Sequence, residues 1–454
     1  LIARGETERI RVSLFQAVAI LLALTALFSY LNHRFIGLHP SVGVMVLALA
    51  LSPVLILLGH FGLGIRAFAV GFLAHIDLGE ALLHWMLGFL LFAGALMVDV
   101  NELSRHRWVI VLLSTAATIG SMFVVGLMMW PALGALGFAI PLSACLVFGA
   151  LISPTDPVAV VSLMKRAGAP KGIETIISAE SLFNDGVGVV LFLTLLQVSR
   201  SGGGVTFTSV TLLFLRQSLG GAIIGFAGGA LVHQLLKRAF NFQVEVLLTL
   251  ALVMGVNAIA EAVDVSAPIA SVVAGLLIGN AGRAFHVGRG TREDLEKFWE
   301  LIEEILNAVL FVLIGLEAVV ISFTGHHIVA MIVAIPVVLL ARWLSVVGTI
   351  YFLPMVKPLR SGLIPILTWG GLRGGLAVAM ALSLPEGEHQ RTLVAITYGV
   401  VLFSIIVQGT TIKRVVARCL PAPGVLSSGE ARSPGELSPA AEVASPSFPE
   451  QVNG

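Results

Sequence analysis

The sequence predicts an all-α integral membrane fold of about thirteen transmembrane helices, two inverted repeats with interrupted helices 5 and 12 crossing near the midplane. Three observations predict it. The 454 residues are 57% hydrophobic and only 12% charged, with a mean hydropathy of +0.98, whereas soluble domains carry about 25% charge. Apolar runs long enough to cross a bilayer follow one another, separated by charged or Gly/Pro-containing breaks. Two of these runs are themselves interrupted, in corresponding places of the two halves. The 48 glycines fit the same class, since membrane helices approach one another at small residues.

In order, the spans fall at 11–31, 41–60, 81–100, 108–130, 136–163, 173–198, 208–236, 244–262, 267–281, 298–323, 327–354, 361–384 and 392–417. The first, apolar from Val12 to Leu31, is long enough to span and reads as a retained helix rather than a cleaved signal. Residues 61–79, with Arg66, His75 and Asp77, are too interrupted for a span and fit an interfacial helix or a poorly marked extra one. The fifth span is broken by Pro154 and Pro157, which remove backbone donors and clash with the preceding turn. The twelfth is broken by Trp369-Gly370-Gly371-Leu372-Arg373-Gly374-Gly375. With the seventh span as connector, spans 1–6 and 8–13 become the repeats. From Pro421 the composition turns to Pro, Ser, Gly, Ala and Glu, so the domains read as a transmembrane part over 1–420 and a disordered cytoplasmic tail over 421–454.

The loops orient the chain. Arg105, Arg107, Lys165, Arg166, Lys237, Arg238, Lys357, Lys413 and Arg414 fall on the side that holds the C-terminus. Positive residues favour the cytoplasm, which puts the C-terminus inside and, with an odd number of spans, the N-terminus outside. The net charge of +1 gives no basic domain for nucleic acid, and Cys145 and Cys419 imply no disulfide framework.

The chemistry concentrates at Ser153-Pro154-Thr155-Asp156-Pro157 and Glu180-Ser181-Leu182-Phe183-Asn184-Asp185-Gly186. Ionisable groups within a span are costly and mark ion or proton pathways. Broken backbone at membrane depth persists only when buried in protein or lining a wet cavity. Ser181 and Asp185 are four residues apart, as are Glu180 and Asn184, so the two pairs occupy adjacent stripes of one helix. Asp185, Thr155 and Ser181, with carbonyls freed at the break, supply the hard oxygens that a dehydrated alkali cation needs. Burial favours the protonated carboxyl and a bound cation the ionised one, so one such group can hold either ion but not both. Asp156 either joins the ligands or offsets the positive end of the half-helix beside it. Glu180 needs a cationic partner, which Arg342 in span 11 or Arg373 at the break of span 12 can supply. The assignment adopted pairs Glu180 with Arg342 and leaves Arg373 to offset the carbonyl ends of the broken helices. Asn184 does not titrate, which predicts one proton per monovalent cation. Asp99, Glu102, Glu303 and Glu304, near span ends, read as interfacial charge.

These segments, with Gly370-Gly371-Leu372-Arg373-Gly374 and the stretch from Phe298-Trp299 through Asn307 to Gly315, resemble the signatures of the monovalent cation/proton antiporters of the first group, the NhaP/NHE type. The resemblance covers about residues 11–418. It implies a dimerisation half and a mobile core bundle, a homodimer in the cell membrane, and elevator-like exchange of sodium (or lithium, sometimes potassium) for protons. By position it implies Asp185, Thr155 and Ser181 at the ion, Asp156 and Asn184 in support, and a Glu180–Arg342 pair between helices 6 and 11. Some relatives place an acid in the third helix; here Leu91-Phe92-Ala93-Gly94-Ala95 has none, which leaves water to complete the coordination. The Asn184-Asp185 pair separates the chain from the two-aspartate group. The expectation is therefore a secondary transporter with no cofactor, not an enzyme. A potassium/proton antiporter is the alternative within the class. A passive cation channel and an intramembrane aspartyl protease built on Asp156 and Asp185 are the rivals outside it, and the protease explains neither the paired breaks nor the buried arginines.

Overall fold

Helix covers nearly all of the residues described by the computed structural model, which are 14–37, 43–48, 50–51, 86–157, 160–161, 164, 171–200, 207–239, 241–284, 289–317, 325–352, 360–385 and 387–419. The stretch 61–79 and the tail from Pro421 lie outside them, as do Lys165, Arg166 and Lys357. The helices are α1 (Leu14–Leu31), α2 (Leu87–Met97), α3 (Val100–Arg105), α4 (Arg107–Leu112), α5 (Thr118–Ala135), α6 (Leu142–Ile152), α7 (Lys171–Arg200) and α8 (Phe207–Leu236). They continue with α9 (Phe242–Ala262), α10 (Ala267–Ala284), α11 (Arg289–Glu317), α12 (Gly325–Tyr351), α13 (Arg360–Trp369), α14 (Gly375–Leu382), α15 (Glu388–Phe403) and α16 (Gly409–Cys419). Seven helical stretches among the described residues are long and apolar enough to cross a membrane, and Leu87–Met97, Leu142–Ile152 and Ala267–Asn280 are shorter apolar helices. The protein is thus an all-α, multi-pass membrane protein.

The ends of these helices follow from local sequence. After α1 a π-helical turn over Asn32–Ile36 closes on Gly37, whose φ of 71° is left-handed and open to glycine without strain. Asp99 caps α3 by accepting from the Asn101 N–H at 2.9 Å, and Asn241 caps α9 through the Gln243 N–H at 2.9 Å. Packing is tight because glycines remove side chains where backbones meet. A Cβ on Gly279 would stand 2.1 Å from the Leu96 carbonyl oxygen, and one on Gly225 2.2 Å from that of Ala270. Such contacts give helices the dispersion energy that water cannot supply in lipid. The outward faces stay apolar: Leu212, Leu219, Ile223 and Phe226 on α8 are all exposed.

Both expected interruptions are present. α6 stops at Ile152, the chain runs non-helically through Ser153–Pro157, and helix resumes by Val160. α13 stops at Trp369, and α14 begins at Gly375. The two breaks meet. Asp156 and Leu372 form an isolated antiparallel bridge, with the Asp156 N–H donating to the Leu372 carbonyl at 2.8 Å. Backbone groups released by one break are therefore satisfied by the other, which is what buried irregular chain requires.

Candidate functional site: a carboxylate at the crossing of two broken helices

A cavity of about 930 Å³ runs from one face of the protein to the crossing. Its deep end is lined by Pro154, Thr155, Asp156, Asp185, Gly374 and Gly375. Its mouth lies among Asp99, Glu174, Glu293 and Lys297, at the ends of α2, α7 and α11 that share one face.

Each site residue is held by its own element. α7 carries Glu180, Ser181, Asn184 and Asp185 in two turns, and it comes close to the break because Gly188 has no side chain. A Cβ there would meet the Pro154 ring at 2.2 Å. Asn184, wholly buried, locks the break to α7: its Oδ1 accepts from the Thr155 N–H at 3.2 Å, and its Nδ2 donates to Thr155 Oγ1 at 2.8 Å. The same Nδ2 donates to Glu180 Oε1 at 2.9 Å. Ser181 and Thr155 share a hydrogen bond of 3.2 Å between hydroxyls. Asp185 stands half-buried at the cavity's end, in electrostatic contact with Asp156, Glu180 and Arg373.

The two arginines take different partners. Arg342 Nη1 donates to Glu180 Oε1 at 2.8 Å and Nη2 to Oε2 at 3.2 Å, a two-pronged pair with both residues under 4% exposed. Its Nε donates to the Leu367 carbonyl at 3.2 Å, which ties the pair to α13. Arg373 reaches across the crossing instead. Its Nη1 donates to the carbonyls of Ser153 and Pro154 at 2.5 and 2.7 Å, the acceptors that α6 leaves open where it stops. Asp156 mirrors it at the opposite polarity. A Cβ on Gly374 would lie 2.7 Å from Asp156 Oδ2, so the carboxylate sits against the N-cap of α14, where a helix dipole favours an anion.

Asp185, Asp156 and Thr155 therefore face the cavity, while Ser181 and Asn184 stand one layer behind, attached through Thr155. Asp185 and Asp156 bring carboxylates to the cavity wall beside Thr155, and Gly94 of α2 lines the same cavity without an acid of its own. The cavity leaves room for water there.

The family profile described as "Sodium/hydrogen exchanger, transmembrane" matches residues 20–418. The chain belongs to this exchanger family. As a member it is a membrane transporter and not an enzyme. It is 44% identical over 406 residues to the Na(+)/H(+) antiporter NhaP of Pseudomonas aeruginosa, covering 88% of this chain and 96% of that one. It is 36% identical over 290 residues to the Na(+)/H(+) antiporter NhaH of Halobacillus aidingensis, 62% of this chain and 69% of the relative. The structure of the sodium proton antiporter MjNhaP1 from Methanocaldococcus jannaschii superposes with a TM-score of 0.71 at 17% identity, over 89% of this chain and 99% of that one, which shows a common fold.

Two features of this exchanger's site escape a reading of its sequence. Glu293, Glu296, Glu300, Glu303 and Glu304 of α11 line one wall of the cavity, so Glu303 and Glu304 border the space that leads to Asp185. Their spacing of three and four residues along one helix is the signal that marks a common face. The second is the π-helical turn Ser404–Gln408 between α15 and α16. Ser404 Oγ accepts from the Arg373 N–H at 2.7 Å, and Gln408 Nε2 donates to the Trp369 carbonyl at 3.0 Å. One wide turn thus holds both sides of the break in span 12, a use typical of π turns at functional sites.

Proposed function

We propose that the protein exchanges sodium, or lithium, for protons across the cell membrane, one for one, by alternating access at Asp185. The observation that carries this reading is the place of Asp185: a carboxylate at the end of an acid-lined cavity, beside the crossing of two broken helices. A cation arriving there meets Asp185, the Thr155 hydroxyl and water. A proton arriving there meets the same carboxylate, and each ion displaces the other. Glu180 is committed to Arg342 and Asn184 carries no proton to give, which leaves Asp185 to cycle. One positive charge then moves each way per turnover, and the membrane voltage does no work on the cycle.

Asp156 and Arg373 offset the half-helix ends, so that the crossing can carry a cation or a proton without reorganising its backbone. The two breaks act as counterparts in inverted repeats, and rocking of the bundle that contains them opens Asp185 to either face. The names of the relatives favour sodium, and their bacterial sources favour the cell membrane. A homodimer with the N-terminus outside and the C-terminus in the cytoplasm completes the reading. A potassium/proton antiporter would use the same geometry.

The test is dye-monitored proton movement in proteoliposomes on addition of sodium, lithium or potassium, with Asp185→Asn alongside. Sodium- and lithium-driven proton flux that vanishes in the variant is expected. Undiminished flux in the variant removes Asp185 from its role. A strong voltage dependence of the exchange equilibrium removes the neutral cycle.

A further inference from the structure

Glu317 lies at the far end of the described α11, more than two turns beyond the acids that line the cavity, and no step above uses it. It is half-buried, and the turn before it (Phe311, Val312, Leu313, Ile314, Leu316) is buried and apolar. Among the described residues no Lys or Arg forms an ion pair with it and no hydrogen bond reaches it. Its electrostatic neighbour is Tyr398 on α15, wholly buried, whose hydroxyl donates to the Ile314 carbonyl at 3.2 Å. An ionisable group inside a membrane protein with no partner of opposite charge faces an ion route by default.

The row on which Glu317 sits defines that route. Leu310, Ile314 and Glu317 share one face of α11 at spacings of four and three residues. A Cβ on Gly375 would meet Leu310 at 2.4 Å and Ile314 at 2.9 Å, so this face packs on the start of α14. Leu310 and Gly375 also line the deep end of the cavity, next to Asp185. The apolar plug that closes the cavity on its far side is therefore this seam between α11 and α14. Glu317 is the acid met beyond it, about 10 Å along the helix from Leu310 at 1.5 Å per residue.

We propose that Glu317 is a second station for the transported monovalent cation, on the face opposite the acid-lined cavity, which gathers the ion when the seam parts and passes it to Asp185. This rests on the exchange reading above. A carboxylate in a non-aqueous setting raises the local concentration of a cation, and one placed beyond the seam, off the cavity that Asp185 lines, acts on the approaching ion without ligating it in the final site.

The experiment measures half-saturating sodium separately at the two faces, in everted and in right-side-out membrane vesicles that contain the full chain. In Glu317→Gln the half-saturating sodium is expected to rise about threefold to tenfold at the face opposite the cavity, and to stay within about twofold at the cavity face. Glu317→Asp keeps the charge and shifts the value in the same direction by less, and it carries the test if the Gln variant fails to reach the membrane. Equal changes at both faces, a larger change at the cavity face, or no change at either overturns the proposal. Asp185→Asn is run beside them. Exchange that survives in that variant defeats the exchange reading itself, whereas its loss together with face-independent values for the Glu317 variants defeats the second station alone.

Discussion

Consider the consequence of removing one charge from the Glu180–Arg342 pair. The pair is buried, with exposures of 1% and 3%, and Arg342 spends its donors on Glu180 and on the Leu367 carbonyl. Breaking such a pair from one side costs about 3–5 kcal/mol, because the survivor is left charged and dry. The two sides are not equivalent. Glu180→Gln leaves a guanidinium that cannot give up its proton, packed against the Gly371 backbone, where a Cβ would lie 2.8 Å from Nε. Arg342→Met leaves a carboxylate that still accepts from Asn184 and can be neutralised by a proton. Glu180→Gln is therefore expected at the upper end, about 4–5 kcal/mol, and Arg342→Met near about 3 kcal/mol at neutral pH. Replacing both, as Glu180→Leu with Arg342→Met, should cost far less than the sum of the single variants, because no charge is stranded. Equilibrium unfolding of the purified full chain in mixed detergent micelles measures all four proteins. A Glu180→Gln loss below about 1 kcal/mol, or a double variant as costly as the sum, would refute the reasoning.

Three further outcomes follow from the site. Gly188→Ala drives a methyl into the Pro154 ring, so the break must move away from α7, and sodium-driven exchange should fall at least about tenfold while the protein still reaches the membrane; unchanged exchange would mean that the break tolerates displacement. Arg373→Lys keeps a positive charge but places a single ammonium where a guanidinium now bonds two carbonyls at 2.5 and 2.7 Å, and a loss of about 1–3 kcal/mol is expected in the same unfolding assay. Replacing Glu300, Glu303 and Glu304 together by Gln should raise half-saturating sodium at the cavity face at low ionic strength and leave it nearly unchanged in high choline chloride, because solvated charge is screened over about 8–10 Å; a rise that ignores ionic strength would assign those acids a direct ligand role.

The breaks were legible because their causes are local. Pro154 and Pro157 end a helix wherever they stand in one, and four glycines among Gly370–Gly375 do the same in span 12. The stripe of Glu180, Ser181, Asn184 and Asp185 was legible because helical spacing alone fixes which residues are neighbours. What the sequence leaves open depends on helix rotation and tilt. Arg342 and Arg373 are both flanked by apolar residues, and only the packing of α12 on α13 puts the first against Glu180 and sends the second to the carbonyls of α6. The acids of α11 illustrate the same limit. That helix has 29 residues, about 43 Å at 1.5 Å per residue, which exceeds the roughly 30 Å of hydrocarbon. Its charged half therefore continues along the cavity, where Glu303 and Glu304 line the wall. Ser404 and Gln408 carried a faint signal, an i, i+4 polar pair in an apolar span, but nothing local said that the pair faces a break in another helix.

Asn184 offers the sharpest test of why the cycle should be neutral. Changing it to aspartate adds a second acid next to Asp185, and a count of carboxylates alone would then predict two protons per cation and a voltage-dependent cycle. The geometry argues otherwise. Asn184 is wholly buried and absent from the cavity wall, and its amide nitrogen already lies 2.9 Å from Glu180 Oε1 and 2.8 Å from Thr155 Oγ1. In Asn184→Asp two carboxylates face each other at that distance while Arg342 serves only one of them. The contact survives only with a proton held between the two, and that proton has no open path to the cavity. The variant should therefore lose stability, by about 1–3 kcal/mol for the damaged network, and turn over more slowly, yet keep an exchange equilibrium independent of voltage. Proton flux in proteoliposomes clamped at 0 and −100 mV with potassium and valinomycin reads that directly. A reversal point that moves with voltage in Asn184→Asp would place the new acid on the ion's route and show that position 184, not the isolation of Asp185, sets the number of protons carried.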